Sequence, residues 1–289
     1  MNHPKNRPCW CGSGKPYETC HLDFDFRLAA LRRKGAITPP KSLIKTPAQV
    51  EKIRKSAALN VAILDYVEKN ITAGISTKEI DRWVHDYTVQ HGGIPAPLGF
   101  EGFPASVCTS RNHVVCHGIP SDQEILQEGD IINVDVSTIL AGYYSDSSRM
   151  FCIGKVDPRT KRLVAAAKKC VELGLAEVKP WQPIGSVGQA VNDYARRCGF
   201  SVVREIGGHG VGLDFHEDPY VSFVSKAGTG MIMAPGLMFT IEPMVNMGSP
   251  RITVDRRDGW TVRTADGKPS AQWEVQVLVT ETGCEVIAW

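Results

Sequence analysis

Four carboxylates and one imidazole stand on segments that read as β-strands. They are Asp135 and Asp146 in "INVDVSTILAGYYSDSS", His209 in "GGHGVGLDFHEDP", Glu242 in "LMFTIEPMV" and Glu274 in "QWEVQVLV". Asp is a poor strand residue, so one on each arm of a hairpin needs a cause. Ile132, Val134 and Val136 alternate with Asn133 and Asp135, a turn falls near Ala141-Gly142, and the chain returns through Tyr144 to Asp146. With the turn centred on Leu140-Ala141, Asp135 faces Asp146 directly, their Cβ atoms about 4.5–5.5 Å apart. Facing like charges destabilise a sheet and must be neutralised. Further on, Leu237, Phe239 and Ile241 share one strand face and Glu242 takes the other; Trp273, Val275, Val277 and Val279 share one face and Glu274 takes the other. A lone strand Asp or His is ordinarily structural. Five such groups converging carry −4 with the imidazole neutral, and without cations that cluster protonates or repels itself apart. Two divalent ions cancel the charge, and a pair about 3.5–4 Å apart shares one water between two Lewis acids.

A second set lies in "PCWCGSGKPYETCH", residues 8–21: Cys9, Cys11, Cys20 and His21. Cys-x-Cys, an eight-residue loop and then Cys-His offers three thiolates and an imidazole, a donor set suited to tetrahedral zinc. A redox cysteine pair is the rival reading. So short a segment cannot build a core, so the metal is expected to supply its folding energy. No Walker pattern follows the glycine loop, so phosphate binding is not supported.

Regular elements must carry these groups. Thr46-Pro47 opens a helix with Val50, Ile53, Ala57, Val61, Leu64 and Val67 at spacings of three and four, stopped by Gly74. Ser76 and Glu79 form a capping box for a second helix bearing Ile80, Trp83, Val84 and Tyr87. The pattern returns after Asp157-Pro158, with a helix to Pro180 and a second capping box at Ser186 and Gln189. Two helices and then antiparallel strands, twice over, predict a pseudo-symmetric α+β fold with its sheet faces meeting. The basic, proline-rich "RRKGAITPPKSLIKTP", residues 32–47, reads as a linker, which divides the chain into an extension, 1–38, and a main domain, 39–289.

The bulk numbers fit one moderately large globular protein: 289 residues, 43% hydrophobic and 22% charged. Residues 1–45 hold nine Lys/Arg against three Asp/Glu, or +6; the remainder holds 24 against 28, or −4. An anionic partner therefore meets the extension first. An odd count of nine cysteines, no apolar leader and no apolar run of membrane length point to a soluble, reducing, cytoplasmic setting.

Taken together, "VVCHGIP", "NVDV", "YYSDSSRMF", "GHGVG", "FHEDP", "TIEPM" and "DGWTV…SAQWEVQVLVT" resemble a type I methionine aminopeptidase of the pita-bread fold, in that family's order from about residue 40 onward. The resemblance implies an antiparallel sheet flanked by helices, and hydrolytic removal of an N-terminal methionine. It implies that Asp146 and Glu274 bridge two metal ions, with Asp135 on one and His209 and Glu242 on the other. It makes His117 and His216 catalytic beside Glu242, the proton shuttle. It places Phe100, Phe103 and Cys108 in a methionine pocket closed by Phe215 and Trp260, with His117 and His216 also touching substrate. Phe100 and Phe103 stand where tyrosines are common in the family, which removes hydroxyls and keeps the pocket apolar. His113 matches no motif and reads as surface. Residues 8–21 resemble the SEC-C zinc motif, "CGSGK" and Tyr17 included. The expected cofactors are two active-site divalent ions (manganese, iron, cobalt or zinc) and one structural zinc. The expected partners are peptide or nascent-chain N-termini, with the basic extension contacting the ribosome, no membrane, and a monomeric chain. Two alternatives stand: a prolidase or aminopeptidase P-like peptidase on the same fold, and a non-catalytic nascent-chain or ribosome-binding protein.

Overall fold

The computed structural model describes residues 7–289, so residues 1–6 of the expected extension lie outside the described residues. The first main helix, Pro47–Asn70, starts where the sequence indicates. Thr46 Oγ1 accepts from Gln49 N–H and Gln49 Oε1 accepts from Thr46 N–H, a complete capping box with Pro47 in the first turn. It buries Val50, Ile53, Ala57, Leu64 and Val67, while Val61 is only half-buried and Ile63 takes its place in the core. It ends at Asn70, and Gly74 instead donates its N–H to Leu126 O in the turn beyond.

Helix Thr77–Gln90 forms half of its expected box. Ser76 accepts from Glu79 N–H, but the Glu79 carboxylate turns to Arg82 and to Trp83 Nε1. Asp157 caps Pro158–Ala176 through the Arg159 and Thr160 amides. The box expected at Ser186 and Gln189 does not form. Helix Gly185–Arg197 begins two residues earlier than a Ser186 cap requires, Ser186 Oγ donates to Pro183 O, and Gln189 Oε1 accepts from Ala227 N–H.

Strands Ile131–Leu140 and Tyr143–Cys152 make the hairpin, but its register differs from the sequence expectation. Asp135 pairs with Ser148 and Asp146 with Ser137, so the two aspartates are diagonal neighbours on one face. The turn lies at Ala141 and Gly142, with φ of 51° and 81°. Positive φ at both central residues is what a type I′ hairpin turn requires, and Gly142 meets that demand without strain.

Around this hairpin lie Ile94–Pro95 and Cys108–Arg111. A second sheet runs in the order Cys284–Ala288, Val275–Val279, Met238–Ile241, Gly208–Gly210, Glu217–Val221. The two sheets are joined where Ser148 and Glu274 form a bridge with N–H···O distances of 3.4 and 3.2 Å. Each half keeps its own core. Leu59, Ile63, Leu64 and Val67 pack on Val134 and Val136; Leu163, Ala167 and Val171 pack on Phe239, Ile241, Val275 and Val277. The repeated pattern of two helices on antiparallel strands is thus a real pseudo-symmetry.

The N-terminal segment is more than a metal-held knuckle. Helix Leu22–Arg33 sends Phe24 and Leu28 into the second core, Phe24 lies 5.1 Å from Trp181, and Ile37 bridges Met231. Burying such side chains contributes about 1.5–3 kcal/mol each, so packing supports this segment alongside any metal.

Candidate active site and metal centre

Where the two sheets join, a cavity of about 380 Å³ opens. Asp135, Asp146, His209, Glu242 and Glu274 all line it, together with His117, His216, Phe100, Phe103, Cys108, Phe215 and Trp260. The sites read from sequence therefore converge on one place. Asp146 and Glu274 each offer an oxygen, and His209 a ring nitrogen, within 4.8 Å of one another. His209 Nε2 is 3.6 Å from both Asp146 Oδ2 and Glu242 Oε1.

The supporting bonds explain that aim. His209 Nδ1 lies 2.9 Å from Gly210 O, which fixes Nδ1 as the donor and frees Nε2 toward the carboxylates. Thr240 Oγ1 accepts from His209 N–H and donates to Glu242 Oε1, and Gln272 Nε2 donates to Glu242 Oε2. Ser137 Oγ donates to Asp146 Oδ1, and Gln276 Oε1 accepts from Asp146 N–H. These four residues were missed in the sequence. The signal for Thr240 and Gln276 was period two, since each shares a strand face with its neighbouring glutamate.

Burial pushes the Asp135 carboxyl up to about 7 and that of Glu242 to about 8. Asp146 and Glu274 are held well above the carboxylate range, first by burial and then by neighbouring carboxylates. The histidines move the other way. Burial, then His216, brings His209 down to about 3 and His117 to about 4; burial also lowers His216. The imidazoles are neutral at neutral pH and cannot balance the acids. No ion pair among the described residues brings a lysine or arginine to any of the four, and Asp135 Oδ1 is buried with no hydrogen-bond partner. At an effective dielectric near 20, two like charges 4 Å apart repel by about 4 kcal/mol. An oxygen-rich set with one imidazole, an orphaned carboxylate oxygen and no protein counter-charge fits a pair of divalent cations.

Beside the acids the cavity is apolar. Phe215 stacks on His216 with centroids 4.4 Å apart and packs edge-on against Phe100 at 4.9 Å; Phe103 meets Trp260 at 5.3 Å. The Cys108 thiol is pushed well up by burial and then by Asp135, so it is a neutral wall residue. His117 sits at φ 55°, a conformation uncommon outside glycine that clusters at functional sites. His113 stays out of the cavity; it is half-buried against Arg263, its Nε2 3.3 Å from that guanidinium.

The four N-terminal donor atoms also cluster within 4.8 Å. Cys11 Sγ and Cys20 Sγ are 3.6 Å apart, and His21 Nδ1 lies 3.1 and 3.2 Å from Cys9 and Cys20. Bonds of about 2.3 Å in a tetrahedral site set thiolates roughly 3.8 Å apart, close to this spacing. Burial pushes the Cys9 thiol up to about 11, a cost that a cation in the cluster would offset.

Comparison with known proteins agrees with this picture. Residues 51–281 match the model of metallopeptidase family M24, and residues 6–23 match the SEC-C motif. The methionine aminopeptidase of Chlamydia trachomatis serovar D is 41% identical over 287 residues, 98% of each chain. Methionine aminopeptidase A of Synechocystis sp. is 45% identical over 240 residues, 83% of this chain and 94% of that one. The crystal structure of methionine aminopeptidase from Rickettsia prowazekii superposes with a TM-score of 0.84 at 39% identity, covering 85% of this chain and 99% of that one. The chain belongs to metallopeptidase family M24 and is a metallo-aminopeptidase. Within it, this is a type I methionine aminopeptidase-family chain of pita-bread fold with an N-terminal SEC-C motif.

Proposed function

We propose that this chain removes the N-terminal methionine from peptides and newly made proteins, with Asp135, Asp146, His209, Glu242 and Glu274 holding two divalent ions. One observation carries the reading: four carboxylates and three neutral imidazoles line one wall of a cavity whose other lining residues include Phe100, Phe103, Phe215, Trp260 and Cys108. An unbranched thioether packs well against such aromatic rings.

When bound, the ions supply Lewis-acid activation of a water and of the scissile carbonyl. Glu242 takes the proton from the attacking water and delivers it to the leaving amine. His216 donates to the developing oxyanion, and His117, kept neutral, hydrogen-bonds the scissile amide. Phe100, Phe103, Cys108, Phe215 and Trp260 seat the methionine side chain and exclude water from it. Manganese, iron, cobalt and zinc all suit the donor set.

The N-terminal module holds a structural zinc through Cys9, Cys11, Cys20 and His21, and its basic surface meets the ribosome, where new N-termini emerge. The described residues hold no helix long and apolar enough to cross a membrane. The proposal takes the enzyme to be a monomer of the cytoplasm. Assay of the purified, metal-loaded protein on Met-Ala-Ser beside Xaa-Pro peptides tests the reading. Release of methionine from the first alone is expected. Cleavage of Xaa-Pro peptides would move the assignment to a prolidase-like activity, and no cleavage of either to a binding protein.

A further inference from the structure

We propose that Lys45 is a positioning residue for the reaction: paired with Glu217 inside the protein, it fixes the turn that presents Phe215 and His216 to the cavity. The inference rests on the function proposed above. Lys45 Nζ lies 2.5 Å from Glu217 Oε2, across 172 positions of sequence, and the two side chains are 0% and 8% exposed. The other oxygen of the same carboxylate accepts from Leu213 N–H at 2.7 Å and Asp214 N–H at 3.1 Å. One buried carboxylate thus ties a charge just before the first main helix to two amides of the turn preceding Phe215.

Both ends of this clamp are anchored. Lys45 N–H donates to Gly236 O at 2.8 Å, beside the bridge between Ile44 and Leu237. On the turn, Gly212 O accepts from Tyr144 N–H at 3.0 Å. Gly212 shows how closely the lysine stem passes. Its φ is +130°, and a Cβ there would lie 2.7 Å from Ile53 Cδ1 and 3.2 Å from Lys45 Cε. Two residues beyond the clamped amides, His216 stacks on Phe215 and packs on Phe100 at 5.1 Å and on His209 at 4.3 Å. Lys45 itself does not line the cavity.

The chemistry favours an ion pair at this place. A charged acceptor binds two amides more firmly than a neutral one, and the lysine supplies the counter-charge that lets the carboxylate stay buried. Removing only the lysine strands a charge, whereas removing both charges does not. Small displacements of a transition-state donor are costly in rate, so slackening the turn acts on turnover.

Hydrogen exchange on the metal-free full chain, combined with kinetics on Met-Ala-Ser, tests the clamp. In Lys45→Met, exchange at the Leu213 and Asp214 amides is expected to speed up more than tenfold, with that of strand Ile131–Leu140 unchanged. The kcat is expected to drop at least tenfold with metal content unaltered. Lys45→Arg, and the double variant Lys45→Met with Glu217→Gln, are each expected to recover part of both readouts. Should Lys45→Met fail to fold, Glu217→Gln alone carries the comparison, with smaller changes of the same sign. Unchanged exchange at Leu213 and Asp214 overturns the proposal, as does exchange that rises equally in all strands or a kcat that ignores the loosened turn. Wild-type protein inactive on Met-Ala-Ser would instead sink the proposed function, while the exchange result still judges the clamp.

Discussion

Ser148 and Glu274 are joined backbone to backbone, their two N–H···O contacts measuring 3.4 and 3.2 Å. That bridge stitches the hairpin of the first half to the second sheet and brings the Glu274 carboxylate to Asp135 and Asp146. The site therefore exists only where the two halves meet. Asp135→Ala or Glu274→Ala should abolish peptidase activity and lower the bound metal while the fold survives. Metal analysis and circular dichroism on the purified variants check this; full activity with unchanged metal content rules out the dinuclear assignment.

Chelating the divalent ions should make stability depend on pH in a particular direction. Asp135 and Glu242 are raised to about 7 and about 8, so between pH 6.5 and 8 the folded chain binds more protons than the unfolded one. Stability contributed by raised acids is present at low pH and is lost as pH rises through those values. His209 and His117, lowered to about 3 and about 4, act oppositely, but only below their unfolded value near 6.5. The Tm of the metal-free protein should fall by more than about 2 °C from pH 6.5 to 8. Adding a divalent ion should reverse the loss. A metal-free Tm that climbs over this window would contradict the assigned protonation states.

Strand alternation put Asp135 and Asp146 on one face and set Glu242 and Glu274 opposite their apolar neighbours, so the acidic wall was readable from period two alone. The hairpin register was not, because moving the turn by one residue changes every pair, and only the positive φ at both Ala141 and Gly142 fixes it. Ser186 and Gln189 have the spacing of a capping box, but Gly185 N–H finds Thr229 O and the helix starts early. The contact of Phe24 with Trp181 links positions far apart in the chain, and no local pattern announces it. The same holds for Lys45 and Glu217.

His216→Ala should lower turnover while leaving metal content intact. Its ring stands beside the carboxylates, stacked on Phe215, and loss of an oxyanion donor costs about 10²–10³ in rate. Parallel measurement of kcat and metal stoichiometry separates the roles. Metal lost in step with activity would make His216 a ligand.

Cys11→Ser with Cys20→Ser should remove one zinc per chain without touching the catalytic ions. Peptidase activity should persist, because Phe24 and Leu28 still anchor the segment in the second core. Deleting residues 1–38 is a harsher change, since it uncovers Trp181, and should lower the Tm more than the double serine variant does. Zinc analysis and thermal melts compare the three proteins. Equal melting of the deletion and the wild type would mean that the packing of Phe24 contributes nothing.

Ribosome contact, finally, should depend on the basic residues that face solvent. Several cations of residues 1–45 are engaged within the protein: Lys41 pairs with Asp25, Arg7 lies over Tyr17 and Arg27 over Trp181. Lys15, Arg33 and Lys34 are exposed, and they carry the charge that an RNA surface would meet. Lys15→Glu, Arg33→Glu and Lys34→Glu together change the local charge by six units, from +3 to −3, without disturbing the cysteine cluster. Phosphate contacts weaken steeply as salt rises. Wild-type protein should pellet with ribosomes at low salt and much less at high salt, and the triple variant should stay in the supernatant at both. Hydrolysis of Met-Ala-Ser should be equal in the two proteins, since none of the three residues lines the cavity. Equal pelleting of both forms would rule out this surface as the anchor and leave the zinc module to a partner other than RNA.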